Sequence, residues 1–148
     1  PALGIWLEVV TLVIPGVNDG EGELTSIAKF LASVSRDIPW HVTAFHPDYK
    51  MGRTPATGAA SLNLGWEIGK AAGLRYVYSG NRPGEVGDTE NTRCPACAGL
   101  LIERRGFLVL QDRLGPSGRC PDCGHPIPGV WRVPDPGKEV PAGARPRA

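Results

Sequence analysis

Residues 5–14 read IWLEVVTLVI, a run that is rich in β-branched residues and almost continuously apolar. Such a run is typical of a strand that is covered on both faces, as in a parallel sheet. Residues 15–20, PGVNDG, then supply the residue types that end a strand in a turn. The two segments together predict a buried strand that leads through a short loop into another element.

A helix is expected after this loop. Asn18 is a candidate N-cap with Glu21 three residues later, a variant of the capping box. One face of this helix should pack on the sheet, because apolar residues recur at helical spacing. These residues are Leu24, Ile27, Ala28, Leu31 and Val34.

A second unit repeats the pattern. Residues 40–45 predict a strand, residues 59–72 a helix with Gly73 at its end, and residues 75–78 a third strand. Strands that alternate with helices of this length predict a βαβαβ order and a parallel sheet with right-handed crossovers. Three such strands with helices on one face leave apolar surface bare. Together with the abrupt start without Met, this predicts that the chain is part of a longer polypeptide.

Charge and composition divide the chain into parts. Residues 1–90 carry a formal charge of −3 and residues 91–148 carry +4, which suggests two different surfaces. Residues 81–93 are polar and rich in turn formers, and we interpret them as a linker. Residues 132–148 are dominated by Pro, Gly and charged residues, so a disordered tail is expected there.

All four cysteines lie in two Cys-x-x-Cys pairs, Cys94 with Cys97 and Cys120 with Cys123. A two-residue gap lets both thiolates of one turn face the same ion, and the long gap between the pairs leaves room for a hairpin that brings the turns together. The pattern predicts a four-thiolate structural metal site. Zinc is favoured and a single iron is the second choice, since ligand type alone does not separate them.

Other interpretations of the module remain open. The cysteines could be free thiols or a redox pair, although a redox Cys-x-x-Cys normally opens a helix. The pair around Cys97 is less ideal, because Ala98 stands where Gly is preferred. His125 lies close by and is interpreted as a turn residue, since four cysteines already complete the coordination shell.

Polar residues also follow two of the predicted strands. Asn18 and Asp19 precede a helix N-terminus, and His46 opens a polar loop after the second strand. In parallel α/β folds, ligands bind at these strand ends. The alternatives are that Asn18 and Asp19 only cap the helix and that His46 is a turn residue. His41 lies within a strand and is interpreted as a structural histidine.

Four stretches carry a resemblance to a known family. They are WLEVVTLVIPGVND at 6–19, WHVTAFHPDY at 40–49, LRYVYSGN at 74–81 and CPDCGHPIPGVW at 120–131. Together they resemble the later part of AmmeMemoRadiSam-system radical SAM enzymes, which are related to pyruvate formate-lyase activating enzymes. The resemblance covers residues 4–131, which is nearly all of the chain except the tail.

The resemblance implies an α/β fold with the C-terminal βα units of a partial (β/α) barrel at 1–80. The β-rich, zinc-ribbon-like module would follow at 94–131. It also implies an enzyme that binds S-adenosylmethionine beside a [4Fe–4S] cluster and generates a 5′-deoxyadenosyl radical. Asn18, Asp19 and His46 are carried over as cofactor-facing candidates.

The sequence departs from the family at one decisive point. The CxxxCxxC motif that holds the family's cluster is absent, and the four cysteines have the wrong spacing to replace it. The chain as given is therefore expected to be inactive alone and to need an N-terminal portion of the same polypeptide.

The partner is expected to be a protein or small-molecule substrate. No run of about eighteen apolar residues occurs, so a membrane partner is not expected. Without a signal peptide, the predicted location is cytoplasmic. The alternative function is a standalone zinc-ribbon module that binds a protein or nucleic acid, although aromatic residues for base stacking are few in the ribbon.

Overall fold

A computed structural model describes residues 5–131 of the chain. The predicted tail at 132–148 lies outside these residues. The described part is a mixed α/β structure with two three-stranded sheets, one parallel and one antiparallel. In chain order its elements are β1 (Val9–Val13), α1 (Glu21–Val34), β2 (Trp40–Ala44), α2 (Ala59–Ala71), β3 (Val77–Gly80), β4 (Thr92–Arg93), β5 (Leu100–Arg105) and β6 (Leu108–Asp112).

The first sheet has the order β1-β2-β3, and all of its strands are parallel. Val9 pairs with Trp40, and Trp40 pairs with Val77 in turn. The predicted βαβαβ order is therefore confirmed. The third strand begins two residues later than expected, at Val77.

Both helices pack on the same face of this sheet. Their buried side chains join the alternate strand residues that point toward them in one apolar core. Two glycines of α2 permit this approach, since a Cβ on Gly65 would lie 2.8 Å from Val42 and one on Gly69 would lie 2.9 Å from Trp40. The core consists of Val13, Leu24, Ala28, Leu31, Trp40, Val42, Ala44, Leu62, Leu74, Val77 and Val86.

The opposite face of the parallel sheet is open along β1. Val10 is 64% exposed and Leu12 is 43% exposed. The prediction that β1 is covered on both faces is therefore wrong for the part of the chain that the structure describes. The apolar run is continuous, but helices cover only the side on which Val9 and Val13 lie.

The start of α1 also differs from the prediction. The helix begins at Glu21 with Gly20 as its N-cap, and no side chain caps it. Asn18 instead accepts a hydrogen bond from the backbone N–H of Ile14 at 2.7 Å and donates one to the carbonyl of Leu12 at 3.0 Å. At the other end of the helix, Val34 is exposed rather than packed. The turn after β1 uses the Asn18 side chain, so it is not available to the helix.

The second sheet is antiparallel with the order β4-β5-β6. Residues 81–93, predicted to be a linker, contain a 3₁₀ turn at Gly87–Glu90 and strand β4. The segment is packed, because Val86 joins the core of the parallel sheet. The buried carboxylate of Glu90 accepts hydrogen bonds from the backbone N–H groups of Gly84 and Gly106. The connection between the sheets is thus a structured part of the fold.

No helix among residues 5–131 is long and apolar enough to cross a membrane.

Candidate metal centre

The antiparallel sheet brings the four cysteines together. Cys94 and Cys97 lie in the turn between β4 and β5, whereas Cys120 and Cys123 lie in a turn that follows β6. The four sulfur atoms lie within 4.8 Å of one another. The hairpin predicted from the long gap between the pairs is β5–β6.

The two cysteine turns have matching backbone geometry. In the first turn the N–H of Ala98 donates to the carbonyl of Cys94 at 2.9 Å, and in the second the N–H of Gly124 donates to that of Cys120 at 2.8 Å. Ala98 has φ +60° and Gly124 has φ +74°. Both positions lie in the left-handed region, where Gly is free of strain and Ala is not.

The sulfur distances suit a single tetrahedral ion. Cys94 and Cys123 approach to 3.6 Å between their Sγ atoms, and so do Cys97 and Cys120. Four thiolates at the usual zinc–sulfur bond length of about 2.3 Å would place their sulfurs about 3.8 Å apart. The four cysteines are therefore positioned to bind one metal ion. A cluster of four irons does not fit between sulfurs this close together.

The surroundings of the sulfurs affect their protonation. Desolvation raises the pKa of Cys120, but hydrogen bonds from the backbone N–H groups of Cys123 and Asp122 and from the side chains of Cys97 and Cys123 together outweigh it and lower the pKa to about 7. The pKa of Cys123 is raised to about 12: the backbone N–H of His125 lowers it, but desolvation and the neighbouring sulfurs outweigh that effect. The first thiolate therefore forms readily, whereas a second thiolate beside it is disfavoured by repulsion between the two negative charges. A bound cation removes this repulsion.

A charged side chain links the two cysteine turns. Arg113, just after β6, donates to both carboxylate oxygens of Asp122 at 2.6 and 3.2 Å and to the carbonyl of Leu100 at 2.9 Å. Asp122 lies between the second pair of cysteines, and Leu100 follows the first pair. Sequence reasoning missed this pair, because Arg113 lies in no recognisable motif.

His125 supports the site through its backbone. Its carbonyl accepts a hydrogen bond from the N–H of Cys120 at 2.9 Å. Among the residues placed by the structure, the group that could hold a metal consists of the four cysteines without a histidine. The interpretation of His125 as a turn residue is consistent with this arrangement.

The three cofactor-facing candidates lie at the carboxyl ends of neighbouring strands. Both polar groups of Asn18 hold the turn after β1, and a carboxylate oxygen of Asp19 accepts a hydrogen bond from the N–H of Gly16 at 2.8 Å. His46 is exposed just after β2. These contacts give Asn18 and Asp19 a local structural role. Their approach to a cofactor, like that of His46, stays a prediction.

Two further polar residues tie these strand ends together, and sequence reasoning missed both. Thr57 is fully buried; its hydroxyl donates to the carbonyl of Val13 and accepts from the N–H of Phe45. Asn81, at φ +64°, donates from its amide to the carbonyl of Ala44 at 3.2 Å. Both residues lie in loops, where the sequence offers no periodicity that would reveal a long-range contact.

Comparison with known proteins finds a relative that aligns with most of the chain. The chain is 42% identical over 127 residues to the uncharacterized protein MJ0808 of Methanocaldococcus jannaschii. The alignment covers 84% of this chain and 38% of the relative, so the chain spans well under half of the relative's length. No protein-family model matches the chain, and no solved structure matches it.

Proposed function

We propose that this chain forms the C-terminal part of a radical SAM enzyme related to the AmmeMemoRadiSam-system enzymes. In this proposal residues 1–80 supply the last βα units of a partial barrel. The four-cysteine ribbon at 94–131 is a module stabilised by a structural zinc ion.

The observation that carries the proposal is that helices cover one face of the parallel sheet, while the other face is open along β1. In a doubly wound sheet helices cover both faces, whereas in a (β/α) barrel helices cover the outside and the inner face lines the interior. Here α1 and α2 lie on one face, and Val10 and Leu12 are exposed on the other. A parallel sheet with this asymmetry is the expected form of a barrel segment.

The polar strand ends are consistent with the proposal. Ligands of parallel α/β folds bind at the carboxyl ends of the strands. Asn18 and Asp19 lie in the loop that follows β1, and His46 lies in the loop that follows β2. In the proposal they face S-adenosylmethionine, and the hydrogen bonds of Asn18 and Asp19 keep the turn in shape. Bound beside a reduced [4Fe–4S] cluster, S-adenosylmethionine would supply a carbon-centred radical through its reductive cleavage.

The ribbon has a structural part in this proposal. Its four sulfurs form a closed shell around one position, which leaves no site for substrate. Zinc fits the donor set and the spacing, and it brings no redox chemistry of its own. The cluster needs ligands from elsewhere in the polypeptide, since the four cysteines of this sequence are all assigned to the ribbon.

The upstream reading frame tests the proposal directly. It is expected to encode a CxxxCxxC motif on a loop after a strand, in frame with Pro1. An in-frame stop codon directly before Pro1 would contradict the proposal.

The encoded longer protein allows a biochemical test. After anaerobic reconstitution with iron and sulfide, it is expected to release 5′-deoxyadenosine from S-adenosylmethionine under reducing conditions. His46→Ala should raise KM for S-adenosylmethionine. His125→Ala is the control and should leave KM unchanged, because it shortens a side chain in the second cysteine turn, away from the proposed cofactor site. A reconstituted cluster that never cleaves the cofactor would contradict the assignment.

A second candidate function follows from the ribbon surface. The β5–β6 hairpin exposes Phe107 in its turn and Leu108 and Leu110 in β6 to solvent, and residues 91–148 carry a formal +4. We keep a standalone ribbon that binds a protein or nucleic acid as the alternative. A binding assay at low salt tests the nucleic-acid form of this alternative, because phosphate contacts are strongest there. Absence of binding under those conditions rules out the nucleic-acid form of the alternative.

A further inference from the structure

A cleft of about 640 Å³ lies between the open face of the parallel sheet and the ribbon. The sheet contributes His41, Thr43 and Tyr78 to its wall, and β5 contributes Ile102 and Arg104. Small-molecule sites commonly measure about 300–1,000 Å³ and combine apolar walls with a few convergent polar groups. The cleft has this size and composition, and none of its lining residues belongs to the metal centre.

Aromatic rings form much of the cleft wall. The ring of Tyr78 stacks on that of His41 with 5.2 Å between centroids and an interplanar angle of 28°. Trp6 and Trp131 also line the cleft. Their indole N–H groups already donate to Glu8 at 2.8 Å and to the carbonyl of Ile127 at 2.7 Å. These indoles therefore offer apolar ring surface rather than hydrogen-bond donors, which suits a planar ligand.

The acidic groups of the cleft are already satisfied. One carboxylate oxygen of Glu8 accepts from Trp6, and the other lies 2.7 Å from Nε2 of His41. Desolvation raises the pKa of Glu8, but these two contacts and the charges of His41 and Arg104 outweigh it, so the pKa is lowered. Glu90, the other carboxylate at the cleft, accepts from two backbone N–H groups. Both carboxylates thus have their partners within the protein.

The cleft is also lined by two arginines, of which Arg105 is exposed and Arg104 is half-buried. Within residues 5–131 the guanidinium of Arg104 takes part in no hydrogen bond and no ion pair, whereas Arg75, Arg93 and Arg113 each pair with an aspartate. Arg104 is half-buried and lines the cleft beside Tyr78. A planar guanidinium in this setting is suited to bind a carboxylate or phosphate through two parallel hydrogen bonds.

A buried hydroxyl lies at the same cleft. Tyr76 is 4% exposed and lines the cleft, and its hydroxyl has no hydrogen-bond partner among the described residues. Buried polar atoms nearly always have a partner, which can be a ligand or ordered water. The hydroxyl is therefore a second polar group with unused hydrogen-bonding capacity at this site.

We propose that this cleft binds a small planar ligand that carries one negative group, with the aromatic rings against its plane and Arg104 on its carboxylate or phosphate. The proposal does not depend on the radical reaction, because every residue that carries it lies in the described part of this chain. Carboxylate and phosphate ligands share this chemistry, and the choice of probes separates them.

The test uses the purified full chain and four probes in NMR titrations without S-adenosylmethionine. Indole-3-acetate and adenosine 5′-monophosphate are the carboxylate and phosphate probes, and indole-3-acetamide and adenosine are their neutral counterparts. At least one anionic probe is expected to bind saturably and to shift the amide signals of residues 41–43, 78 and 102–104. Its neutral counterpart should bind about tenfold more weakly, since a charge-assisted pair is lost.

Two outcomes overturn the proposal: neither anionic probe saturates, or the neutral counterparts bind equally well. Because the assay contains no S-adenosylmethionine, failure of the radical-enzyme proposal leaves this result unaffected.

Paired variants locate the binding charge. Arg104→Gln is expected to raise the Kd of the anionic probe about tenfold and to leave that of the neutral probe unchanged. Lys29→Gln removes the same charge from an exposed position on α1, across the sheet from the cleft, and should change neither. Circular dichroism confirms that both variants are folded. An unchanged Kd in a folded Arg104→Gln variant overturns the role of Arg104.

Discussion

The parallel sheet and the ribbon differ in how much apolar surface each of them buries. The parallel sheet and its two helices enclose fully buried Leu24, Trp40, Val42 and Leu62. The ribbon has a smaller core, and two of its buried members are the metal-site residues Cys94 and Cys120. Every residue of β6 is exposed. A core this small seldom sustains a fold, and a structural metal commonly supplies the remaining stability.

The two regions are nevertheless joined. Tyr76, next to β3, belongs to the ribbon's core, and the hydroxyl of Tyr78 lies 3.1 Å from that of Thr92 in β4. Val86, from the connection, belongs to the core of the parallel sheet. One region is stabilised by apolar burial, whereas the other has a small core, four cysteines that are positioned to bind a metal ion, and contacts to the first region.

Metal removal should have the largest effect on the difference in stability between the ribbon and the parallel sheet. A chelator, or the variant Cys120→Ser, is expected to unfold the ribbon and to leave the helices α1 and α2 in place. A bound ion would replace the repulsion between thiolates with four metal–sulfur bonds, so we expect its removal to take away the ribbon's main support. Metal analysis should give about one zinc per chain, and hydrogen exchange should speed up over residues 94–127.

The control for this experiment is Ser117→Ala, which lies outside the cysteine turns. Simultaneous loss of helix signal and ribbon protection would show that the two regions are a single cooperative unit. A ribbon that remains protected without metal would contradict the assigned role of the ion.

The converse experiment weakens the apolar core. Leu62→Ala removes a fully buried side chain of α2 and should lower the free energy of unfolding by about 2–5 kcal/mol, through lost burial and the cavity left behind. Denaturant unfolding followed by helix circular dichroism measures the loss. The metal content of the folded variant should stay unchanged.

Val34→Ala, at an exposed site on α1, is the matched control and should cost well under 1 kcal/mol. Equal losses in the two variants would contradict the position of the core.

Loss of the Arg113 link between the cysteine turns should have a smaller effect, on the rate at which the metal is released. Arg113→Ala removes the contacts to Asp122 and to the carbonyl of Leu100, so the two turns should separate more easily. Zinc transfer to a coloured chelator is expected to become severalfold faster. Arg113→Lys retains the charge but not the two-pronged geometry, and it should give an intermediate rate. A rate equal to that of the original chain in both variants would show that the link has no role in metal retention.

The smallest effect concerns the less ideal cysteine turn. Ala98 has φ +60°, which costs an alanine about 1–2 kcal/mol. Ala98→Gly is expected to relieve this strain and to stabilise the metal-bound ribbon by about 0.5–1 kcal/mol, once the greater freedom of glycine in the unfolded chain is subtracted. Gly124→Ala at the matching position of the other turn should destabilise the ribbon. The two variants should shift the thermal midpoint of ribbon unfolding in opposite directions, and shifts of the same sign would contradict the strain.

The comparison also separates features that sequence reasoning predicts well from those it misses. The βαβαβ order and the four-cysteine cluster are local patterns: apolar periodicity repeats every few residues, and each Cys-x-x-Cys pair closes its own turn. The N-cap was predicted wrongly because Asn18 has two uses, and competition from the backbone of Leu12 and Ile14 decides between them. Propensity alone does not rank such alternatives.

Contacts between distant loops were also missed. Thr57 bridges the ends of β1 and β2, and Arg113 joins the two cysteine turns. Neither residue stands out in the sequence, since any exposed loop contains similar polar side chains. Only the packing of the strands brings their partners within hydrogen-bonding distance.

The sequence by itself determined the order of the βα units and the four cysteines that are positioned to bind a metal ion, because these depend on short-range periodicity and spacing. The tertiary structure alone decided that helices cover one face of the parallel sheet. The apolar run at 5–14 is the same for a strand buried on one side or on both. The tertiary structure also placed Arg104 of the ribbon beside His41 and Tyr78 of the sheet. Residues that distant in sequence meet only when the two sheets pack, and the cleft between them is a product of that packing.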